Sequence, residues 1–197
     1  MNNPLNDLLK TDKPNPKAIA ALLDSMTHTD RVTATRSLER QAMAKLYDVV
    51  QGFKTLTTND MVPQNLSPLK PITHVGTNNL AALRSFLKPM YRLSNGEYAG
   101  RNVQSMEWIT GPGYFVLENG NTTGELLLNY ERIPHETPPG WPKPKSNARG
   151  FSYFVFRDLH DAIRRVSEHV IIGKASRHGK DLPQYFTLVR DESLLKS

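Results

Sequence analysis

The chain has 197 residues, 25 Lys and Arg against 19 Asp and Glu, a formal net charge of +6 and no cysteine. That length can bury one sizeable core, and the missing cysteine excludes disulfides, thiolate metal ligands and a cysteine nucleophile. The N-terminal residues are too polar for a secretory leader, and no run of about 18 apolar residues exists to span a membrane, so the expected compartment is the cytoplasm and no membrane insertion is expected. A pI near 9.5 raises nucleic acid as a partner. The basic groups form no tail and no one-sided stripe, and a mildly basic solvated surface is the expected reading.

The sequence predicts a single α+β domain over 1–197: a helical hairpin over 1–52, a Pro-rich loop with a short helix over 53–95, and an antiparallel β-meander curled into a barrel or half-barrel over 96–191. Asn15 and Pro16 open a helix, the Asn as a cap and the Pro at a position that needs no donor. Ile19, Leu22, Leu23 and Met26 fall on one face of it. A second helix is expected from Asp30 to Gln51, with Met43, Leu46, Tyr47 and Val50 buried and Gly52 ending it. The stretch from Lys54 to Pro71 reads as a loop wrapping the domain, and Leu80, Leu83 and Leu87 repeat at helical spacing.

Beyond Gly96 the pattern changes to strands. Glu97–Ile109, Tyr114–Glu118 and Glu125–Arg132 are expected to pair in sequence, the latter two across Asn119-Gly120-Asn121. A Pro-rich excursion from Pro134 to Pro144 is expected to cross one end of the sheet. Phe151–Arg157, Asp161–Ser167, Val170–Ser176 and Gln184–Asp191 complete the strands, with Ser167-Glu168-His169 as a hairpin tip. A meander of this kind closes to remove its edges and leaves an interior that can hold a ligand.

Gly96-Glu97-Tyr98-Ala99-Gly100 resembles the Gly-x-aromatic signature that opens the first strand of lipocalin-type, or calycin, barrels, with Tyr98 in place of Trp. Arg190 stands where those barrels carry an Arg packed over that ring. Gly111 to Val116 and Arg164 to His169 also resemble segments of a bacterial family without an assigned activity. The resemblance implies a barrel that binds a small apolar molecule, and it implies no reaction.

The candidate chemistry is sparse. No two of the six histidines have metal-ligand spacing, and Asp158, His160 and Asp161 would alternate faces on a strand. Ser167 and His169 lack a nucleophile elbow, and the glycines form no phosphate loop, so no cofactor is expected. Glu97, Glu107, Glu125 and Glu131 could face a cavity, Glu107 beside Trp108, where desolvation would raise a carboxyl pKa. Tyr98, Trp108, Tyr114 and Tyr130 are the aromatic groups expected to line a pocket, and Arg101, Arg157 and Arg190 are the bidentate anchors expected for a polar head group. The expected function is binding of a small, largely apolar ligand inside the barrel. The alternatives are an enzyme on the same scaffold using Glu107, Tyr130 or His169, and a filled barrel that meets a protein partner through its helices or the Trp141 loop.

Overall fold

A computed structural model describes residues 3–79, 84–103, 112–144 and 158–193. Four helices come first: α1 (Pro4–Lys10), α2 (Pro16–Ser25), α3 (His28–Arg36) and α4 (Arg40–Val49). Asn15 caps α2 as expected, its side chain accepting from the amides of Lys17 and Ala18. Asn3 and Pro4 repeat that signature at α1, whose Leu5 and Leu9 are buried. The expected two-helix hairpin is thus a four-helix layer. The stretch read as one helix from Asp30 is split at Ser37 to Glu39, where the chain turns so that Leu38 joins the core.

Leu5, Ile19, Leu23, Leu46 and Val50 of this layer pack with Val166, Val170, Ile172 and Val189. These last four belong to the outer face of a nine-stranded antiparallel sheet and one of its turns. Its strands are β1 (His74–Asn78), β2 (Ser85–Leu87), β3 (Met90–Arg92), β4 (Tyr98–Arg101), β5 (Tyr114–Asn119), β6 (Leu126–Asn129), β7 (Leu159–Arg165), β8 (Val170–Arg177) and β9 (Lys180–Arg190). The order is β2-β1-β9-β8-β7-β6-β5-β4-β3.

β2 and β3 are halves of one bent strand. Val75 pairs with Leu87 and Ile72 with Met90, while Lys88 and His74 exchange backbone hydrogen bonds between them. On its other side the same strand pairs Leu87 with Val103 and Met90 with Gly100. Hydrogen bonding therefore joins the two ends of the sheet, and the curl becomes an up-and-down barrel of eight strands when β2 and β3 are counted together.

The barrel begins at His74, ahead of the Gly96 expected from the sequence. β1 carries Gly76, whose missing Cβ makes room for the Phe86 ring; a Cβ there would come within 2.3 Å of it. Inward positions filled by His74, Gly76 and Lys88 give no apolar alternation, and helical spacing of leucines was the stronger signal. It follows that Tyr98 lies on the third barrel strand from the start, whereas the lipocalin-type signature opens the first.

Residues 54–71 also differ from a loop that wraps the outside. Leu56, Met61, Val62 and Leu66, together with helix α5 (Thr58–Met61), insert into the interior core with Ile72, Met90, Phe115, Leu128 and Leu188. Arginines facing inward hold this plug: Arg92 donates to the Leu66 carbonyl at 2.8 Å, Arg190 to the Asp60 carbonyl at 2.6 Å, and Arg165 pairs with the Asp60 carboxylate at 2.9 Å. The Pro134–Pro144 segment runs along the outer wall instead of crossing an end. Trp141 packs on Tyr91, Leu93, Ala99 and Val116, and Tyr114 donates to the Pro142 carbonyl. The hairpin tip at Ser167 to His169 forms as expected, closed by Val166 donating to Val170. The expected strand Phe151–Arg157 lies outside the described residues.

Candidate functional site inside the barrel

Side chains alternate faces along a strand, and directly paired residues share one. The register therefore fixes which positions point into the barrel. Tyr91, Ala99 and Val116 form the outer cluster under Trp141, so Met90, Gly100 and Phe115 point inward. Continuing round the ring, Leu117, Leu128, Asp161, Ala175, Phe186, Gly76, Phe86 and Lys88 also face the interior.

Asp161 and Lys88 are charged, and both are almost fully buried, Lys88 at 2% and Asp161 at 5% exposure. Their side chains meet: Lys88 Nζ lies 3.2 Å from Asp161 Oδ2. Lys88 Nζ also donates to the Tyr130 hydroxyl at 2.9 Å, and that hydroxyl donates to Asp161 Oδ2 at 2.9 Å. Asn102 Nδ2 donates to the same hydroxyl at 3.2 Å. Three phenylalanine rings surround the ammonium, with centroids 4.6 Å (Phe186), 5.1 Å (Phe115) and 5.6 Å (Phe86) away, so cation–π contacts complete its coordination.

All three phenylalanine rings stand over glycines, Phe86 over Gly76. A Cβ on Gly173 would meet Phe186 at 2.1 Å, and one on Gly100 would meet Phe115 at 2.6 Å. Glycines on the wall thus let aromatic side chains from neighbouring strands lie flat across the barrel and close around Lys88.

Burial sets the electrostatics. Desolvation pulls the Lys88 pKa below its usual value of 10.5, against the opposing attraction of Asp161. The Tyr130 hydroxyl is driven well above 10.0, first by burial and then by the Asp161 charge. His74, paired with Lys88 through the backbone, is fully buried, and desolvation plus the nearby Arg190 push its pKa down to about 3. Its Nδ1 faces the Lys88 carbonyl at 3.3 Å and so carries the proton, leaving Nε2 as an acceptor with no hydrogen-bond partner among the described residues. Among the described residues the cluster and its neighbourhood hold one ion pair, one hydroxyl and two unfilled acceptors, Asn102 Oδ1 and His74 Nε2, all in an apolar setting.

The two ends of the barrel differ. At the end of Arg92, Arg165 and Arg190 the plug fills the lumen. Toward the other end the inward positions beyond the cluster are Asn78, Phe86, Leu159 and Arg177, each half-buried.

Of the residues expected to bind a ligand, Tyr130 is at the cluster. Tyr98 faces inward and packs against the interior core, and Arg190 grips the plug and pairs with Glu192 at 3.3 Å. Arg101 and Tyr114 are on the outer wall, Arg101 stacked 4.8 Å above Trp141 and Tyr114 bonded to Pro142. Trp108, Glu107 and Arg157 lie outside the described residues. The other carboxylates are engaged in outer-face pairs: Glu97 with Arg132 at 2.7 Å, Glu125 with Arg164 at 2.5 Å and Glu131 with His160 at 3.4 Å. Asp158 pairs with His178, apart from His160 and Asp161, and His169 lies 2.6 Å from Glu192.

Lys88, Asp161, Asn102 and His74 were not singled out as an interior set by sequence reasoning. A usable signal was the lone Lys within Ser85-Phe86-Leu87-Lys88-Pro89-Met90-Tyr91, where a charge interrupts an otherwise apolar run. Among the described residues no helix is long and apolar enough to cross a membrane. Comparison of the chain with protein-family models, with curated proteins and with solved structures finds no match.

Proposed function

We propose that the protein binds a small amphipathic molecule inside the barrel, its polar group on the Lys88–Tyr130–Asp161 cluster and its apolar part among Phe86, Phe115, Phe186 and Leu159. The observation that carries this reading is a buried ion pair with a shared tyrosine hydroxyl in the lumen, on the side away from the plug. A buried pair contributes little net stability compared with well-packed apolar residues, because desolvation of both charges offsets their attraction. A barrel that served only to hold its own shape would have no need of one. The unfilled acceptor on His74 adds a second polar group to the same interior. In architecture the eight-stranded up-and-down barrel supports a kinship of form with lipocalin-type carriers, and the ligand class follows from the lining.

The test is a titration with the neutral fluorescent probe N-phenylnaphthylamine, competed by apolar molecules that each carry one carbonyl, hydroxyl or carboxyl group. One saturable site is expected, with competitor affinity weakened about tenfold or more when Lys88→Met and Asp161→Leu are combined, since hydrogen bonds to charged groups contribute about 1.5 to 3 kcal/mol. Absence of saturable binding, or equal competition in the wild type and the double variant, overturns the reading.

A further inference from the structure

We infer that the polar group recognised in the lumen is a carbonyl, and that Lys88 holds it covalently as an imine. This rests on the proposed binding site and names its ligand class as an aldehyde or ketone with an apolar body.

Imine formation needs an amine that can shed a proton, an acid that can protonate the departing oxygen, and a counter-ion for the iminium that results. The cluster supplies each within hydrogen-bonding distance. Asp161 Oδ2 lies 3.2 Å from Lys88 Nζ and can take its proton, which converts a costly buried ion pair into a neutral one. The Tyr130 hydroxyl bridges the two, 2.9 Å from each. Asn102 donates to the same oxygen and fixes the direction in which its proton points, toward Asp161. Burial lowers the Lys88 pKa, which raises the share of free amine at neutral pH. The aromatic shell that now surrounds the ammonium fits an iminium equally well, because the charge remains on the same nitrogen.

Lys88 passes one proton to Asp161, and its lone pair attacks the carbonyl carbon, forming the N–C bond as the C=O π pair moves to oxygen. Tyr130 protonates that oxygen and is reprotonated by Asp161. The second nitrogen proton leaves through the same relay, and the carbinolamine C–O bond breaks with loss of water. The product is an imine protonated on nitrogen, facing an ionised Asp161, with one carbonyl compound consumed and one water released. No oxidant, reductant or metal enters.

The ligand reaches Lys88 past Asn78, Phe86, Leu159 and Arg177, the half-buried inward positions beyond the cluster. Phe86, which is itself half-buried and stands over Gly76, has its ring centroid 5.6 Å from Nζ, so rotation of that ring would open the way to the amine.

The experiment uses the wild-type chain. A panel of aromatic and medium-chain aliphatic aldehydes, each paired with its alcohol, is incubated with the protein, sodium borohydride is added, and modified lysines are located by peptide mass spectrometry. The expected result is a reduced adduct on Lys88 at aldehyde concentrations that leave the exposed Lys13 and Lys17 unmodified, with the matching alcohol suppressing it. If the alcohols displace N-phenylnaphthylamine but Lys88 stays unmodified while exposed lysines react, the covalent inference is overturned and the binding reading stands. If neither aldehydes nor alcohols displace the probe and Lys88 is unmodified, both fall.

Discussion

Replacing both members of the buried pair should cost less than replacing either one. In Lys88→Met the Asp161 carboxylate, 5% exposed, keeps Tyr130 as its close side-chain donor among the described residues, and in Asp161→Leu the ammonium loses the one close anion found among them. Removing one partner of a buried pair typically costs about 3 to 5 kcal/mol, which for a chain of this size lowers Tm by roughly 10 °C. The double variant places Met and Leu among Phe86, Phe115 and Phe186 and leaves no unpaired charge. It should match the wild type or exceed it by about 1 to 4 kcal/mol. The assay is thermal and urea denaturation of all four proteins at neutral pH, read by circular dichroism and combined as a double-mutant cycle. Asp161→Leu should also carry a defined pH dependence. Burial already holds the Lys88 pKa below 10.5, and without Asp161 it falls further, so the penalty is full at acid pH and relaxes as pH rises through the folded-state pKa. A double variant as unstable as the worse single one would refute the reasoning, because the pair would then be contributing stability and its place in the lumen would need no ligand.

His74 should make the protein acid-sensitive. Its folded-state pKa of about 3 lies below the usual 6.5, so stability is lost as pH falls through 6.5 toward 3. At pH 4.5 the loss attributable to it is roughly 3 kcal/mol, and His74→Leu should narrow the difference in unfolding free energy between pH 7 and 4.5, read from urea titrations, by that amount; an unchanged difference contradicts the assignment. On the outer wall Arg164 pairs with Glu125, donates to the Tyr47 carbonyl at 2.7 Å and stacks 3.7 Å above the Tyr47 ring. Arg164→Met should therefore destabilise by about 3 kcal/mol or more in denaturant titrations, with Glu125→Gln restoring part of the loss. Gly173→Ala should cost about 1 to 3 kcal/mol, since its new Cβ drives Phe186 from its place over Lys88, and should weaken probe binding in the same titration.

The strands from Tyr114 onward were legible because most of their inward positions are apolar, Asp161, Arg165, Arg177 and Arg190 apart, and their outward ones carry the helix layer. Phe115, Leu117, Leu126, Leu128, Ile163 and Ile171 all join the interior core, and the turn at Asn119-Gly120 marks a hairpin. The first strands were not legible. Their inward residues include His74, Gly76 and Lys88, chosen by contacts with Phe86, Asp161 and Tyr130 that lie far away in sequence. The plug was missed for a related reason: Leu56, Met61, Val62 and Leu66 are spaced by turns and prolines, and only the ring of Arg92, Arg165 and Arg190 reveals what they fill. Tyr130 was visible as an aromatic residue with a hydroxyl on a β-strand pattern. Its partners were not, since Lys88, Asn102 and Asp161 come from three other segments brought together by closure of the barrel.

Whether the lumen around Lys88 takes a small molecule decides between a carrier and a packed barrel. Native and denaturing mass spectra of the protein purified from cells, treated with borohydride at lysis and compared with the Lys88→Met/Asp161→Leu variant, test it most directly. A ligand held as an imine gives an added mass on the wild type that survives denaturation, maps to Lys88 and is missing from the variant. Native and denatured masses that both equal that of the bare chain across several growth conditions, in a wild type that also fails to bind the fluorescent probe, would contradict ligand binding and leave a barrel that is only packed.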